Sequence, residues 1–121
     1  MLNGGETMPG RFEEVPMYRV QLWLKKKEGM TADEFRDHWL ERHAPIARDG
    51  YQHLRGYMVN LVTGAPRGQE PIYDGVAELS WESRDDFVSD MKSDAARSGA
   101  EDLERFTEGF GMVFIDQHQV K

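Results

Sequence analysis

Cysteine is absent from this sequence of 121 residues. Its absence excludes disulfides, thiolate catalysis and cysteine-ligated zinc or iron–sulfur sites. No apolar run approaches the ~20 residues that a membrane-spanning helix needs. The first residues, Met1 to Thr7, have neither a basic start nor an apolar middle, so no secretory signal is predicted. We therefore expect a cytoplasmic protein without a membrane partner.

Positive charge is also scarce, since the formal net charge is -7. An acidic chain repels phosphate backbones, which argues against a nucleic-acid partner. The sequence has no Gly-x-Gly-x-x-Gly, phosphate loop or Gly-x-Ser-x-Gly, so nucleotide, flavin and serine-hydrolase sites lack support. It also lacks the zinc-binding motif His-Glu-x-x-His. His38 and His43 are five residues apart, a spacing that places two side chains on different faces of an α-helix. No metal and no cofactor is predicted from these patterns.

The composition favours one domain with one core. Hydrophobic residues make up 39% of the chain, and its length is ordinary for a single domain. Residues 1–14 are polar and rich in glycine, and we predict a flexible N-terminal arm there. Residues 15–121 are predicted to form the single folded domain.

Four segments alternate apolar and polar residues with the period of two that is typical of strands. They are residues 17–24, 54–62, 73–81 and 112–119. Helices are predicted over residues 31–45, 83–94 and 100–106. The order β-α-β-β-α-β predicts a ferredoxin-like α+β fold, in which an antiparallel four-stranded sheet has helices on one face.

The first predicted helix has the most informative pattern of the chain. A capping box begins at Thr31, and Pro45 is predicted to end the helix. Phe35, Trp39 and His43 recur every fourth residue, so they line one stripe of the helix. This pattern places a titratable histidine in register with two large aromatic residues, at a buried or half-buried surface.

The two faces of the predicted sheet differ in composition. The face toward the helices is predicted to contain Val20, Leu22, Leu24, Ala77, Leu79 and Trp81. The opposite face is predicted to contain Arg19, Gln21, Trp23, Met58, Asn60, Val76, Glu78, Met112, Phe114, Asp116 and His118. A lone sheet would expose this mixed face as a sizeable apolar patch, which pairing with a second copy would bury. We therefore predict a homodimer whose two sheets face each other.

The sequence resembles the EthD family of dimeric α+β barrel proteins. Motifs in residues 30–45, 54–60, 73–81 and 86–87 occur in the family's order, and the likeness covers roughly residues 17–119. The resemblance implies the dimeric barrel fold. Relatives include muconolactone isomerases, decarboxylases and dehydratases of polyketide pathways, and proteins attached to oxidative degradation clusters. A shared fold does not decide among these activities. The wider superfamily includes haem binders, so a single haem-ligating histidine also stays open.

His43 is the leading catalytic candidate, because a histidine gives or takes a proton near neutral pH. The family pattern supports this role. The alternative is that His43 hydrogen-bonds a backbone carbonyl and fixes the turn at Pro45. Trp39 is a candidate substrate-stacking group, although a core position is favoured for it. His38 and His53 are interpreted as surface residues.

Further candidates are Arg19, Tyr57, Asn60 and Glu78 as substrate-binding groups and His118 as a second proton carrier. Tyr57 and Asn60 alternate onto opposite faces of the second predicted strand, where either is a candidate to hold a substrate oxygen. Glu78 lies in the middle of a strand, where a carboxylate needs a partner. Arg19 and Gln21 are its predicted partners, and a purely structural ion pair is the alternative.

The leading hypothesis is a small cofactor-free enzyme that acts on an aromatic, polyketide-like or lactone compound of secondary or degradative metabolism. Its chemistry would be proton transfer in an isomerisation, dehydration, decarboxylation or lyase cleavage, with His43 as general acid/base. A cofactor-free monooxygenase is a close variant, since an electron-rich aromatic can react with oxygen once it is deprotonated. The rival hypothesis is a non-catalytic accessory protein that binds a hydrophobic metabolite in an oxidative degradation pathway.

Overall fold

The computed structural model describes residues 16–121. The predicted arm at residues 1–14 lies outside the described residues, and its boundary with a domain at 15–121 stays a prediction. Within the described range, no helix is long and apolar enough to cross a bilayer.

The described residues form one antiparallel sheet of four strands, in the order β2-β3-β1-β4. The strands are β1 (Tyr18–Lys26), β2 (Gly56–Leu61), β3 (Gly75–Trp81) and β4 (Thr107–Ile115). The helical segments are α1 (Ala32–His38), a π-helical turn (Trp39–His43), α2 (Ala44–Gly50), α3 (Arg84–Met91) and α4 (Asp94–Phe106). This order of elements and this sheet confirm the predicted ferredoxin-like α+β fold.

Side-chain caps set the starts of three helices. Thr31 Oγ1 accepts a hydrogen bond from the Glu34 N–H at 3.0 Å, and Glu34 accepts one from the Thr31 N–H at 2.9 Å, so the predicted capping box is confirmed. Ser83 and Ser93 cap α3 and α4 by accepting from the N–H three residues further on. Helix α4 therefore begins directly after Ser93, earlier than the predicted start at Ala100.

The core lies between the helices and one face of the sheet. The sheet contributes Val20, Leu24, Ala77, Leu79 and Trp81, and the helices contribute Phe35, Trp39, Ala47, Phe87, Leu103 and Phe106. The Trp39 ring lies directly against Gly75, and a Cβ at that position would collide with the ring. The aromatic stripe of the first predicted helix is thus the part that packs on the sheet.

The prediction that Pro45 ends the first helix is wrong. Helical structure continues through Pro45 to Gly50. Before that proline, the chain passes through the π-helical turn, in which the Ala44 N–H bonds to the Trp39 carbonyl five residues back. A proline inside an α-helix lacks an N–H and collides with the carbonyl four residues earlier. The wider π turn, and the place of Pro45 in the first turn of α2, remove that conflict.

Strand β4 lies earlier in the chain than the predicted strand at residues 112–119. It covers Thr107–Ile115 and runs through Gly109 and Gly111 as it pairs with β1. Glycine is a weak strand former, so on sequence alone these two residues favour a loop. The hydrogen bonds that make this segment a strand come from β1, which is distant in the sequence.

The register of β4 changes which residues share a face of the sheet. Met112 and Phe114 pair with β1 residues that face the helices, so both side chains lie on the helix side. The prediction that both lie on the opposite face of the sheet is therefore wrong. That opposite face is called the open face below. The open face has Val113 instead, and Asp116 and His118 lie beyond the end of the strand.

Candidate active site

A cavity of about 240 Å³ lies between the sheet and the helices. Most of its wall is apolar and includes Leu22, Leu79, Leu103, Phe110 and Met112. No Asp, Glu, Lys or Arg side chain among residues 16–121 lines it. Phe110 is 52% exposed, so the cavity opens to the surface beside β4.

His43 lies in this wall with one ring nitrogen already engaged. Its Nδ1 lies 2.8 Å from Oδ2 of Asp102, a residue of α4 that is only 5% exposed. A carboxylate only accepts hydrogen bonds, so the proton of a neutral His43 ring lies on Nδ1. Nε2 then has a lone pair and no hydrogen-bond partner within the described part of the chain. The partner of His43 is thus a carboxylate, and not the backbone carbonyl of the alternative hypothesis.

Asp102 binds a second histidine through the same oxygen. His38 Nε2 lies 2.9 Å from Oδ2 and 3.1 Å from Oδ1 of Asp102. Arg105 adds a contact of 3.3 Å between Nη1 and Oδ1. Phe106 stacks on the His38 ring, with 4.6 Å between centroids, and lies 4.9 Å from the His43 ring. His38 is therefore half-buried in the cluster, and its predicted place on the surface is wrong.

The π-helical turn explains how two histidines five residues apart reach one carboxylate. In an α-helix, that spacing places two side chains about 140° apart around the axis. In the π turn the hydrogen bonds span five residues, so residues at that spacing face the same side. The prediction that the spacing separates His38 from His43 is wrong for this reason.

Two histidines and a carboxylate also form the ligand set of many metal sites. Here the donor atoms of His38 and His43 contact Asp102 directly, at hydrogen-bond distances. Across residues 16–121, no group of three His, Cys, Asp or Glu side chains is arranged to hold a metal ion.

Burial and hydrogen bonding act in opposite directions on the cluster. Burial has the largest effect on His43 and lowers its pKa below the ordinary 6.5, against the hydrogen bond and the charge of Asp102. For Asp102, burial alone would raise the pKa, but the hydrogen bonds and charges of His38 and His43 outweigh it and hold the pKa below 3.8. At neutral pH a neutral His43 thus lies beside an ionised Asp102, an arrangement suited to general-base chemistry.

Two tyrosine hydroxyls complete the polar part of the wall. Tyr51, directly after α2, and Tyr57, on β2, both line the cavity. Trp39 Nε1 donates a hydrogen bond to the Tyr57 hydroxyl oxygen at 3.1 Å, which leaves the Tyr57 O–H to donate to another group. Burial raises the pKa of Tyr57. Burial also raises the pKa of Tyr51 to about 12, and the charges of Tyr57 and Asp90 add smaller effects in the same direction. Both hydroxyls are therefore protonated donors at neutral pH.

Several predicted site residues lie away from the cavity. Arg19 Nη1 lies 3.2 Å from Glu78 Oε2, and Gln21 Nε2 donates to Glu78 Oε1 at 3.1 Å, which confirms the predicted pairing. Asn60, also on the open face, donates to a backbone carbonyl of β3. His118 is exposed beyond the sheet. A role in substrate binding stays a prediction for these residues and would require contacts outside this cavity.

The cavity brings together three of the predicted site residues, His43, Trp39 and Tyr57. Sequence reasoning missed Tyr51 and Asp102. For Tyr51, no pattern beyond its place after the helix-ending glycine distinguishes it from a packing residue.

Asp102 did have a sequence signal. It lies on the buried stripe of α4, which consists of Gly99, Asp102, Leu103 and Phe106 at helical spacing. An acidic residue on an apolar stripe needs a buried partner. That partner is a histidine pair 59 and 64 residues away in the sequence, which no local pattern shows.

The fold and this cluster define a small ferredoxin-like domain with a candidate acid–base site in its cavity. The model of the EthD domain matches residues 27–109, which is more than half of the chain. The chain therefore belongs to the EthD family, and the resemblance of its motifs is confirmed.

Several solved structures are similar to this chain. An ethyl tert-butyl ether d (EthD) family protein from Bacillus halodurans is 19% identical, with a TM-score of 0.73 over 84% of this chain and 99% of that chain. Hydroxynitrile lyase from Passiflora edulis is 12% identical, with a TM-score of 0.70 over 88% and 98%. A dimeric ferredoxin-like protein of unknown function from Thermobifida fusca is 13% identical, with a TM-score of 0.62 over 86% and 93%. No curated protein matches the sequence at a significant level. At these identities the likeness shows the fold alone.

Proposed function

We propose that this chain is a cofactor-free enzyme that moves a proton on a small, uncharged and largely apolar molecule, with His43 as the general acid/base. The observation behind the proposal is the 2.8 Å contact between His43 Nδ1 and the buried carboxylate of Asp102, in the wall of an apolar cavity. Asp102 holds the ring in one orientation and one tautomer, which leaves Nε2 as the base.

The cavity limits the size and charge of the substrate. Its volume of about 240 Å³ lies between the ~150 Å³ that holds a benzene ring and the ~300 Å³ at which sites for drug-sized ligands begin. A molecule of one or two rings therefore fits. The described wall has no charged side chain that would neutralise a carboxylate or a phosphate, so the substrate is neutral. The predicted aromatic, polyketide-like and lactone compounds meet these conditions in their uncharged forms.

The proton moves in two steps. His43 Nε2 takes a proton from a C–H or O–H of the substrate, and the electron pair of that bond shifts onto a substrate oxygen or into the bond that is formed. The ionised Asp102 stabilises the resulting imidazolium through the Nδ1–H. Tyr51 and Tyr57 are placed to donate hydrogen bonds to the oxygen on which negative charge develops. His43 then returns the proton to a different atom of the product or to the leaving group.

Among the predicted reaction classes, a lyase cleavage has the most support. The hydroxynitrile lyase from Passiflora edulis has the same fold as this chain. A hydroxyl proton taken by His43 would begin such a cleavage, and a protonated leaving group would end it. Isomerisation, dehydration, decarboxylation and cofactor-free oxygenation also require proton transfer and stay within the proposal.

A homodimer is also part of the proposal. On the open face Trp23 is 37%, Met58 is 64% and Val113 is 45% exposed, and a second copy packed on this face would cover these side chains. The similar protein from Thermobifida fusca is described as dimeric. Light scattering on the full chain should therefore give twice the monomer mass of 14.0 kDa, and a monomer at micromolar concentration would contradict the dimer. The cytoplasmic location stays a prediction.

The central experiment compares His43→Gln with the wild-type chain. Neutral one- and two-ring carbonyl compounds and aromatic cyanohydrins are screened for turnover by absorbance. Ligand binding is followed by the fluorescence of Trp39 and Trp81, which line the cavity. We expect His43→Gln to lower kcat/KM by roughly 10²-fold or more while the Kd changes only a few-fold. His53→Gln is the matched control, because that side chain is 41% exposed and does not line the cavity. Wild-type turnover in His43→Gln would reject His43 as the base.

A non-catalytic binding role is the second candidate, because a wall this apolar retains a hydrophobic ligand without any reaction. Two results together would favour it: no turnover of any compound that binds, and equal affinity in His43→Gln and wild type.

A further inference from the structure

The second histidine on Asp102 has no task in the proposed reaction. We propose that His38 is a positioning residue of the site, which acts on His43 through the carboxylate of Asp102 that both rings contact. This inference rests on the proposed function only for the role of His43 as the base. The geometry behind it is a shared acceptor, because His38 Nε2 and His43 Nδ1 lie 2.9 Å and 2.8 Å from the same Oδ2 atom of Asp102.

His38 and His43 border different spaces. His43 lines the apolar cavity, whereas His38 lines a polar surface cleft. The charged residues that line this cleft with His38 are Lys27, Glu28, Glu34, Asp37, Glu41 and Arg42. The buried carboxylate of Asp102 carries the effect from one histidine to the other.

The physical link between the two rings is the negative charge of the Asp102 carboxylate, which both rings contact. His38 Nε2 and His43 Nδ1 compete for the same oxygen of Asp102. Burial lowers the pKa of His43 most, and the electrostatic effect of His38 lowers it further. Arg105, 3.3 Å from Oδ1, adds a fixed positive charge. Phe106 packs against both rings and keeps them in contact with Asp102.

The test is a titration of His43 by long-range ¹H–¹⁵N spectra of its imidazole nitrogens. In His38→Gln the amide nitrogen takes the place of Nε2 as a donor, but it carries no charge. We expect the midpoint of the His43 curve to move to higher pH, because the variant lacks the electrostatic effect of His38 that lowers the pKa of His43 in the wild type. The acid limb of kcat/KM should move in the same direction. His53→Gln is the control and should leave the His43 curve unchanged.

The proposal would be overturned if folded His38→Gln gave the same His43 titration curve as the wild type. If His38→Gln does not fold, His38→Asn decides, because it also replaces the ring by an uncharged amide. The His43 midpoint should again move to higher pH, and an unchanged His43 curve would overturn the proposal. Neither titration needs a substrate. Coupling without any turnover would therefore reject the proposed function alone, and turnover without coupling would reject the role of His38 alone.

Discussion

Two hydrogen-bonded carboxylate clusters lie on opposite faces of one sheet. On the helix side, Asp102 accepts from two histidines at 2.8 Å and 2.9 Å. On the open face, Glu78 accepts from Arg19 and Gln21 at 3.2 Å and 3.1 Å. Both carboxylates are well satisfied, but only Asp102 orients a group that borders a cavity. A paired carboxylate is therefore no sign of a site by itself; a titratable partner and an adjoining space for a ligand distinguish the two clusters.

Asp102→Asn should have the largest effect. The amide keeps the shape of the side chain but loses the charge, so it no longer stabilises a protonated His43 or fixes its tautomer. We expect kcat/KM to fall roughly 10²-fold. The pKa of His43 should fall further, since the charge and hydrogen bond of Asp102 raise it in the wild type. Kinetics and imidazole spectra of the folded variant measure both effects. Wild-type kinetics in this variant would remove the distinction between the two clusters.

Gly75→Ala should have the next largest effect, on stability. The new Cβ would overlap the buried Trp39 ring, and the backbone on one side and the core on the other leave it little room. Overpacking of this kind costs about 1–3 kcal/mol of unfolding free energy, which urea denaturation measures. Gly64→Ala is the control, because no heavy atom lies within 4 Å of its Cβ and its φ is not positive. Equal stability of the two variants would show that the helix side packs less tightly than the structure indicates.

The pH dependence of stability should report on the burial of His43. Its folded-state pKa lies below the ordinary 6.5, so as the pH falls the unfolded chain takes up this proton first. The stability that the neutral, buried His43 ring contributes is complete above pH 6.5. It is lost progressively as the pH falls from 6.5 to the folded-state pKa. One proton gives a slope of at most about 1.4 kcal/mol per pH unit.

Urea denaturation at pH 7.5, 6.5 and 5.5 measures this slope. In His43→Gln the part of the slope that belongs to His43 should disappear, whereas His53→Gln serves as a control for the removal of a histidine. The corresponding loss from Asp102 occurs below pH 3.8, outside this range, because its pKa is lowered. A wild-type slope in His43→Gln would show that the ring is not buried as a neutral base.

Glu78→Gln should have the smallest effect. This substitution replaces a carboxylate by an amide on the open face, as Asp102→Asn does on the helix side. Glu78 does not line the cavity, and the amide oxygen of the variant side chain still accepts hydrogen bonds from Arg19 and Gln21. Turnover should stay within a few-fold of wild type. A large loss of turnover here would restore Glu78 as a member of the site.

Local patterns were sufficient to predict most of the fold. The capping box at Thr31, the alternation along β1 and the order of the elements depend on residues close together in sequence, and all are confirmed. The errors arose where a distant partner decides the outcome. β4 pairs with β1 through two glycines that locally favour a loop, and this shift changed the face on which Met112 and Phe114 lie.

The site was only partly predictable. The stripe of the first helix predicted a buried or half-buried position for His43 and a core position for Trp39 from helical spacing, and both residues line the cavity. His38 was misplaced, since its position depends on a π turn that ordinary helical spacing does not predict. Asp102 was missed because its two partners lie on a different helical segment.

The π-helical turn also makes the candidate site tolerant of a one-residue change in chain length. Leu40, Glu41 and Arg42 within it are exposed, so an in-frame deletion of any one removes no core side chain. Such a deletion would restore the ordinary helical repeat and leave His38 and His43 four residues apart, a spacing that also places two side chains on one face of an α-helix. The π turn and the plain helix are thus two local solutions that bring the same pair of imidazoles to one carboxylate.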